Sequence, residues 1–90
     1  EQRIGEVIAE RGGIPQGFVI STKLDRDMDT LKFDGARARR SLEESLRTLN
    51  VDRVQLLHLH DPEYAGDMKD VTGPNGSLKE LFRIKEEGLA

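Results

Sequence analysis

The sequence contains no cysteine and no tryptophan, and it has one tyrosine and three prolines among its 90 residues. Without cysteine the chain has neither a disulfide framework nor a thiolate nucleophile, a pattern that fits a reducing cytoplasm. No apolar run approaches the roughly 20 residues that a membrane-spanning helix needs, and no signal peptide is visible. We therefore expect a cytoplasmic protein with no membrane partner.

Charged residues are abundant but nearly balanced in sign. They make up 34% of the chain, hydrophobic residues make up 36%, and the net charge is -3. This composition favours a folded globular chain over a disordered one, and the slight acidity argues against a nucleic-acid partner. The one basic cluster, Arg37, Arg39 and Arg40, is interpreted as a solvated helix face.

Hydrophobic periodicity predicts alternating helices and strands, in the order α-β-α-β-α. Such alternation is typical of a parallel sheet with right-handed crossovers. No Gly-x-Gly-x-x-Gly follows either strand, which weakens a dinucleotide-binding Rossmann interpretation. The predicted elements are a helix carrying Ile4, Val7 and Ile8, a strand over 18–24, a helix after Asp34, a strand over 54–60 and a helix from Ser77.

Local capping signals place the ends of the predicted helices. Asp34 is a favourable N-cap, and Asn50 can adopt the left-handed conformation that closes a helix. The run from Ser77 to Glu80 matches a capping box. Core faces are predicted from the apolar residues of the two later helices, which are Ala38, Leu42, Leu46 and Leu49 in one, and Leu78, Leu81 and Phe82 in the other.

The predicted sheet has only two strands, so both of its edges are unpaired. The chain also begins at Glu1 inside a predicted helix, and it stops at Ala90, where another strand is due. We therefore expect residues 1–90 to be an incomplete segment of a single larger α/β domain, with no second domain and with the rest of the sheet supplied by the same chain.

Lys23 and His60 are predicted to lie at matched ends of neighbouring strands. Side chains alternate along a strand, and each of these residues is the last one on the mixed face of its strand. Adjacent parallel strands lie about 4.8 Å apart, so the two side chains are expected to flank one pocket. A single strand-end lysine is usually a surface charge, and it is the pair that favours function. His58, one layer deeper, is expected to be a hydrogen-bonded interior residue near Ser21.

The stretches "FVISTKL" and "SLEESLRTLNVDRVQLLHLHDPE" resemble the aldo-keto reductase family, which are NAD(P)-dependent (β/α)8 TIM barrels. The resemblance implies that the chain is part of such a barrel, from its second helix through its third and fourth strands to its fourth helix. "LLHLHDPEY" is most similar to the D-threo-aldose 1-dehydrogenase subgroup, which oxidises free aldoses such as L-fucose or D-arabinose. An aldose or another carbonyl or alcohol compound is then the expected substrate.

The resemblance also implies roles for single residues. The catalytic lysine and histidine of the family fall on Lys23 and His60, while the catalytic Asp and Tyr would lie upstream of this chain. NAD or NADP would be the cofactor, held mostly by residues downstream, and no cofactor-binding residue is assigned here. The lysine cation would lower the pKa of the tyrosine, which is ordinarily about 10, and a neutral His60 would hydrogen-bond the substrate oxygen. Asp61 stands where many members have Trp, which suits a polyhydroxylated sugar.

The loop over residues 61–76 is long, since connections of about two to six residues are typical after a strand of an α/β unit. It leaves the sheet beside His60. It is interpreted either as a variable surface excursion or as a lid on the substrate side, in which Asp61, Glu63 or Tyr64 would contact sugar hydroxyls.

Two other classes of function stay open. His58-x-His60 at a strand end also fits a metal-dependent hydrolase, but the chain has no further histidine, and Lys23 would repel a cation, so we expect no metal. A barrel scaffold that binds NADPH without turnover is the second alternative.

Overall fold

The computed structural model describes all of residues 1–90 and confirms the predicted order of helices and strands. The long loop after the second strand contains two further short elements that the sequence analysis did not anticipate. The elements are α1 (Gln2–Glu10), β1 (Ser21–Leu24), α2 (Gly35–Leu49), β2 (Leu56–Leu59), a 3-10 turn (Pro62–Tyr64), α3 (Lys69–Thr72) and α4 (Ser77–Glu86). None of the helices is long and apolar enough to span a membrane.

The two strands pair in parallel, as the alternation of helices and strands predicts. Ser21 lies opposite Leu56, and Lys23 lies opposite His58. Both strands are shorter than predicted. Phe18 and Val19, which were predicted to begin β1, are 69% and 58% exposed and lie outside it. The fold is therefore an α/β unit with two parallel strands, and the complete barrel stays a prediction.

Helices cover one face of the sheet only. Leu24 points from β1 into a core that α2, α3 and α4 complete. The whole molecule is 17 Å thick along its shortest axis, which leaves room for one layer of helices on one layer of strands. The six residues of this core are Leu24, Phe33, Ala38, Leu42, Val71 and Ile84.

The predicted caps of α2 are confirmed. The Asp34 side chain accepts a hydrogen bond from the Arg37 backbone N–H at 2.9 Å. Asn50 is left-handed (φ 57°, ψ 45°), and its amide donates to the carbonyl of Gly5 in α1 at 3.0 Å. Gly5 lets the two helices approach closely, because a Cβ there would lie 1.8 Å from the Thr48 carbonyl oxygen.

The predicted capping box of α4 is wrong. The N-cap is Gly76, which has no side-chain cap, and Ser77 lies inside the helix with a buried hydroxyl that has no partner. The Glu80 carboxylate instead accepts hydrogen bonds from Arg39 of α2 and Arg83. Two arginines compete for this carboxylate more strongly than a backbone N–H does, since hydrogen bonds between charged groups are stronger.

The predicted core face of α4 is also partly wrong. Phe82 and Leu78 are 57% and 38% exposed, whereas Ile84 is fully buried. Leu81 is half-buried and packs against the core. The helix is rotated so that the face carrying Ser77, Glu80 and Ile84 meets α2, where Glu80 binds Arg39.

The arginine cluster of α2 is not the solvated face that the composition suggests. Arg40 is exposed, but Arg39 binds Glu80 through its Nε at 2.7 Å and Glu87 through its two terminal nitrogens. The Arg39 guanidinium lowers the pKa of the Glu87 carboxyl below its ordinary value of 4.5, chiefly through these hydrogen bonds. Arg39 therefore connects α2 to α4.

Candidate active site

Lys23 lies on the face of the sheet that no helix covers. Its neighbours in β1, Thr22 and Leu24, are buried, whereas Lys23 itself is exposed and makes no ion pair and no side-chain hydrogen bond. This alternation follows from the pleat of the strand, as predicted. The ammonium group is therefore free to act on a group that approaches the open face.

The register brings His58, and not His60, directly opposite Lys23. Ser21, the neighbour predicted for His58, lies on the same face of the sheet but two positions earlier, opposite Leu56. His58 is exposed and its ring makes no hydrogen bond, so the hydrogen-bonded interior site predicted for it is absent from the structure of residues 1–90. His60 lies two residues further along β2, beyond the last paired residue.

His60 is fixed at the carboxyl end of the sheet by its backbone and by its ring. Its backbone N–H donates to the Leu24 carbonyl at 2.9 Å, which continues the ladder by one bond. The ring Nδ1 lies 2.5 Å from the carboxylate of Asp25, within hydrogen-bond distance. The ring Nε2 lies 3.3 Å from an oxygen of Asp61, and the side chain is 36% exposed.

The contribution of Asp25 was missed by the sequence analysis. This residue follows β1 directly, and its backbone is held from both sides by α2. Its N–H donates to the Ser41 hydroxyl at 3.0 Å, and its carbonyl accepts from the Arg37 Nε at 3.0 Å. The sequence does contain a signal for Asp25. It follows a predicted strand directly, and the carboxyl ends of neighbouring parallel strands lie side by side.

Asp61 and the turn after it begin the loop that was predicted to contact substrate. Asp61 is left-handed (φ 46°, ψ 57°), a conformation that Asp tolerates better than most residues, and this backbone turns its carboxylate toward His60. Glu63 and Tyr64 lie in the 3-10 turn and are exposed. The Arg26 guanidinium lies 5.7 Å from the centre of the Tyr64 ring, a cation–π distance that connects the two strand-end loops.

Only part of the loop over residues 61–76 lies away from the core. The Gly66 N–H donates to the Leu31 carbonyl at 2.9 Å, which holds the loop to the one after β1. Val71 in α3 is buried in the core. The part of the loop that faces solvent beside His60 is therefore the 3-10 turn, and its role as a lid stays a prediction.

No residue of this chain is assigned to the phosphates of a cofactor. The N-terminus of α2, a possible phosphate site, is already occupied by the carboxylate of Asp34. Lys23 is exposed and the His60 side chain is 36% exposed, so both can contact the reacting atoms of a bound substrate and cofactor. For metals, no group of three or more His, Cys, Asp or Glu side chains is arranged to hold an ion.

Comparison with known proteins defines the class. The family model described as "Aldo/keto reductase family" matches residues 1–90, so the chain belongs to the aldo/keto reductase family, as its strand-end motifs indicate. It is 32% identical over 71 residues to L-galactose dehydrogenase from Arabidopsis thaliana, an alignment that covers 79% of this chain and 21% of the relative. The chain thus spans about a fifth of the length of that relative. No solved structure matches it.

Proposed function

We propose that the full-length protein is an NAD(P)-dependent oxidoreductase that oxidises a hydroxyl-bearing carbon of an aldose. The observation that carries this proposal is the position of Lys23 and His60. Both lie on or beside the open side of two parallel strands, near the carboxyl ends, in a chain that matches an oxidoreductase family over its whole length. Catalytic groups of barrel enzymes occupy that end of the strands.

Lys23 supplies a cation on the open face of the sheet. It has no carboxylate partner among residues 1–90, so its charge is not already neutralised. Such a cation stabilises the deprotonated form of an acidic group that lies next to it, and it thereby assists removal of a proton from the substrate. The nicotinamide, when bound, accepts the hydride from the substrate carbon.

His60 orients the substrate oxygen. Its ring is held at Nδ1 by Asp25, and the ring is partly exposed at the end of the sheet. A hydrogen bond from a fixed ring restricts the position of the oxygen, which is how a bound substrate is brought into reacting geometry. We assign Lys23 and His60 as the catalytic residues of this chain.

An aldose is the proposed substrate class. The matched relative is named L-galactose dehydrogenase, which is a sugar dehydrogenase. The Asp61 carboxylate lies 3.3 Å from the His60 ring, Glu63 is exposed in the turn that follows, and carboxylates accept hydrogen bonds from hydroxyl groups. Tyr64, exposed in the same turn, offers an aromatic surface with a hydroxyl. These three residues are the proposed substrate contacts.

The sheet is proposed to belong to a (β/α)8 barrel that forms one domain of a cytoplasmic enzyme. The family supports this architecture. In that arrangement the helix-covered face of the sheet is the outer face, and the face that carries Lys23 lines the interior.

The test is an assay of the full-length protein with NAD+ or NADP+ and a panel of aldoses that includes L-galactose, L-fucose and D-arabinose. We expect reduced cofactor to form with at least one sugar, and we expect the activity to survive a chelator. Absence of turnover with every sugar and oxidised cofactor, together with absence of NAD(P)H oxidation by simple carbonyl compounds, would contradict the proposal. If the wild type binds about one equivalent of metal and His58→Leu loses it, the result would favour a metal-dependent hydrolase instead.

A further inference from the structure

We propose that Asp25 is a positioning residue for His60. It accepts the hydrogen bond from Nδ1–H, and it thereby fixes the direction in which Nε2 faces. This inference rests on the proposed function, and it adds to it the residue that orients the imidazole ring.

Both partners of the Asp25–His60 contact have fixed backbones. α2 holds the N–H and the carbonyl of Asp25, through Ser41 and Arg37. The N–H of His60 is held by the Leu24 carbonyl at the end of the ladder. The contact of 2.5 Å between Nδ1 and the carboxylate therefore joins two positions that are each fixed independently of it. The two strand ends place the imidazole ring in one orientation.

The chemistry of a carboxylate sets the direction of this hydrogen bond. An ionised carboxylate only accepts hydrogen bonds, so Nδ1 is the donor toward Asp25. Nε2 is then the ring nitrogen that is left to face the substrate oxygen. Its direction depends on the orientation that the Asp25 contact gives the ring.

Asp61 lies near the other nitrogen of the ring. Its Oδ2 is 3.3 Å from Nε2, a distance at which a carboxylate and a protonated ring attract each other. The side chains of His60 and Asp61 are 36% and 45% exposed. Carboxylates therefore flank both ring nitrogens, at 2.5 Å through Asp25 and at 3.3 Å through Asp61, and the shorter contact is the one that orients the ring.

The kinetic test compares three variants of the full-length protein. Asp25→Ala removes the acceptor, Asp25→Asn keeps an acceptor oxygen, and Asp29→Ala is the control, because Asp29 is an exposed carboxylate in the same loop that does not contact His60. We expect Asp25→Ala to lower kcat for sugar oxidation by about a hundredfold, as misplacement of a reacting group does. We expect Asp25→Asn to retain part of the activity, the control to match wild type, and the KM for the cofactor to stay unchanged.

Stability is not expected to change in these variants, because the Asp25 side chain is 47% exposed and its backbone bonds do not need it. If Asp25→Ala matches the Asp29→Ala control in kcat, the positioning role is wrong even though the enzyme is active. Absence of sugar oxidation in the wild type is a different result, and it counts against the proposed function.

The second test measures the tautomer and needs no turnover. Nitrogen-15 spectra of histidine-labelled full-length protein, assigned by comparison with His60→Gln, report which ring nitrogen of His60 is protonated. We expect Nδ1 of His60 to carry a proton in the wild type and to lose it in part in Asp25→Ala. An Nδ1 without a proton in the wild type would overturn the assignment.

Discussion

The two faces of the sheet differ in packing and in exposure: one is covered by helices, and the other is open and carries exposed ionisable side chains. On the helix-covered face, Leu24 of β1 and Leu42 of α2 are almost completely buried. On the open face, Lys23 and His58 are exposed. Because side chains alternate along a strand, one strand of four residues contributes side chains to both faces. Substitutions on one face should therefore change stability, and substitutions on the other should change the reaction.

The strand ends differ from both faces in how they are fixed. His60 and Asp25 are positioned by hydrogen bonds from backbone, hydroxyl and carboxylate groups, and not by apolar packing. Asp61, next to them, is a left-handed residue that is not glycine. Irregular backbone that carries polar side chains on a rigid scaffold is typical of functional positions.

The largest expected effect is on the open face. Lys23→Met should lower kcat for sugar oxidation by roughly 10²–10⁴-fold, the usual value of assisted proton transfer. The melting temperature should stay within a few degrees of wild type, since the side chain is exposed and unpaired. Steady-state kinetics and a thermal melt of the full-length protein measure both quantities. Lys32→Met, which replaces another exposed lysine in the following loop, is the control.

The opposite pattern is expected on the helix-covered face. Leu42→Ala leaves a cavity beside Leu24 and should lower the free energy of unfolding by about 2–5 kcal/mol. The rate per folded molecule should be almost unchanged. Urea unfolding gives the first quantity and active-site titration the second, with Glu43→Ala on the exposed side of the same helix as control. A large loss of kcat in the folded fraction would show that the two faces are not separable.

A smaller effect is expected where α2 meets α4. Arg39→Met removes one hydrogen bond and one ion pair from the buried carboxylate of Glu80 and should cost about 1–3 kcal/mol. The bond to exposed Glu87 adds little. Arg40→Met is the matched control, because Arg40 lies next to it and makes no ion pair. Equal stability of the two variants, measured by urea unfolding, would show that the ion pairs do not support the helix contact.

The smallest expected effect is on the pH dependence of stability. Arg39 lowers the pKa of Glu87 in the folded state below 4.5, so this carboxyl stabilises the fold above that value, and the stabilisation is lost as the pH falls through the lowered pKa. The free energy of unfolding should thus fall more steeply in wild type than in Arg39→Met below about pH 4.5. Unfolding curves at several acidic pH values measure the two slopes, and parallel slopes would contradict the linkage.

Features with local causes were predicted from the sequence. Asp34 and Asn50 end α2 as expected, because each acts on its own helix terminus. The faces of the two strands were also predicted, since alternation is a property of the strand itself. The family was recognised from the stretches around Lys23 and His60.

Features that depend on distant partners were not predicted. Glu80 leaves the expected capping box for an arginine 41 residues earlier in the chain. Asp25 meets His60 across 35 residues, and it does so because the register sets His58 opposite Lys23 and carries His60 past the last pair. Periodicity identifies which face a residue occupies, but register and loop conformation decide which atoms touch.

The most direct test of the central claim is a double-mutant cycle on Lys23 and His60 in the full-length protein. The measured quantity is kcat/KM for the aldose in wild type, Lys23→Met, His60→Ala and the double variant. When two residues act on the same substrate oxygen, substituting both lowers kcat/KM by less than the product of the two separate losses. We therefore predict that the double variant is little slower than the slower single variant. Losses that multiply would contradict a shared site at the two strand ends.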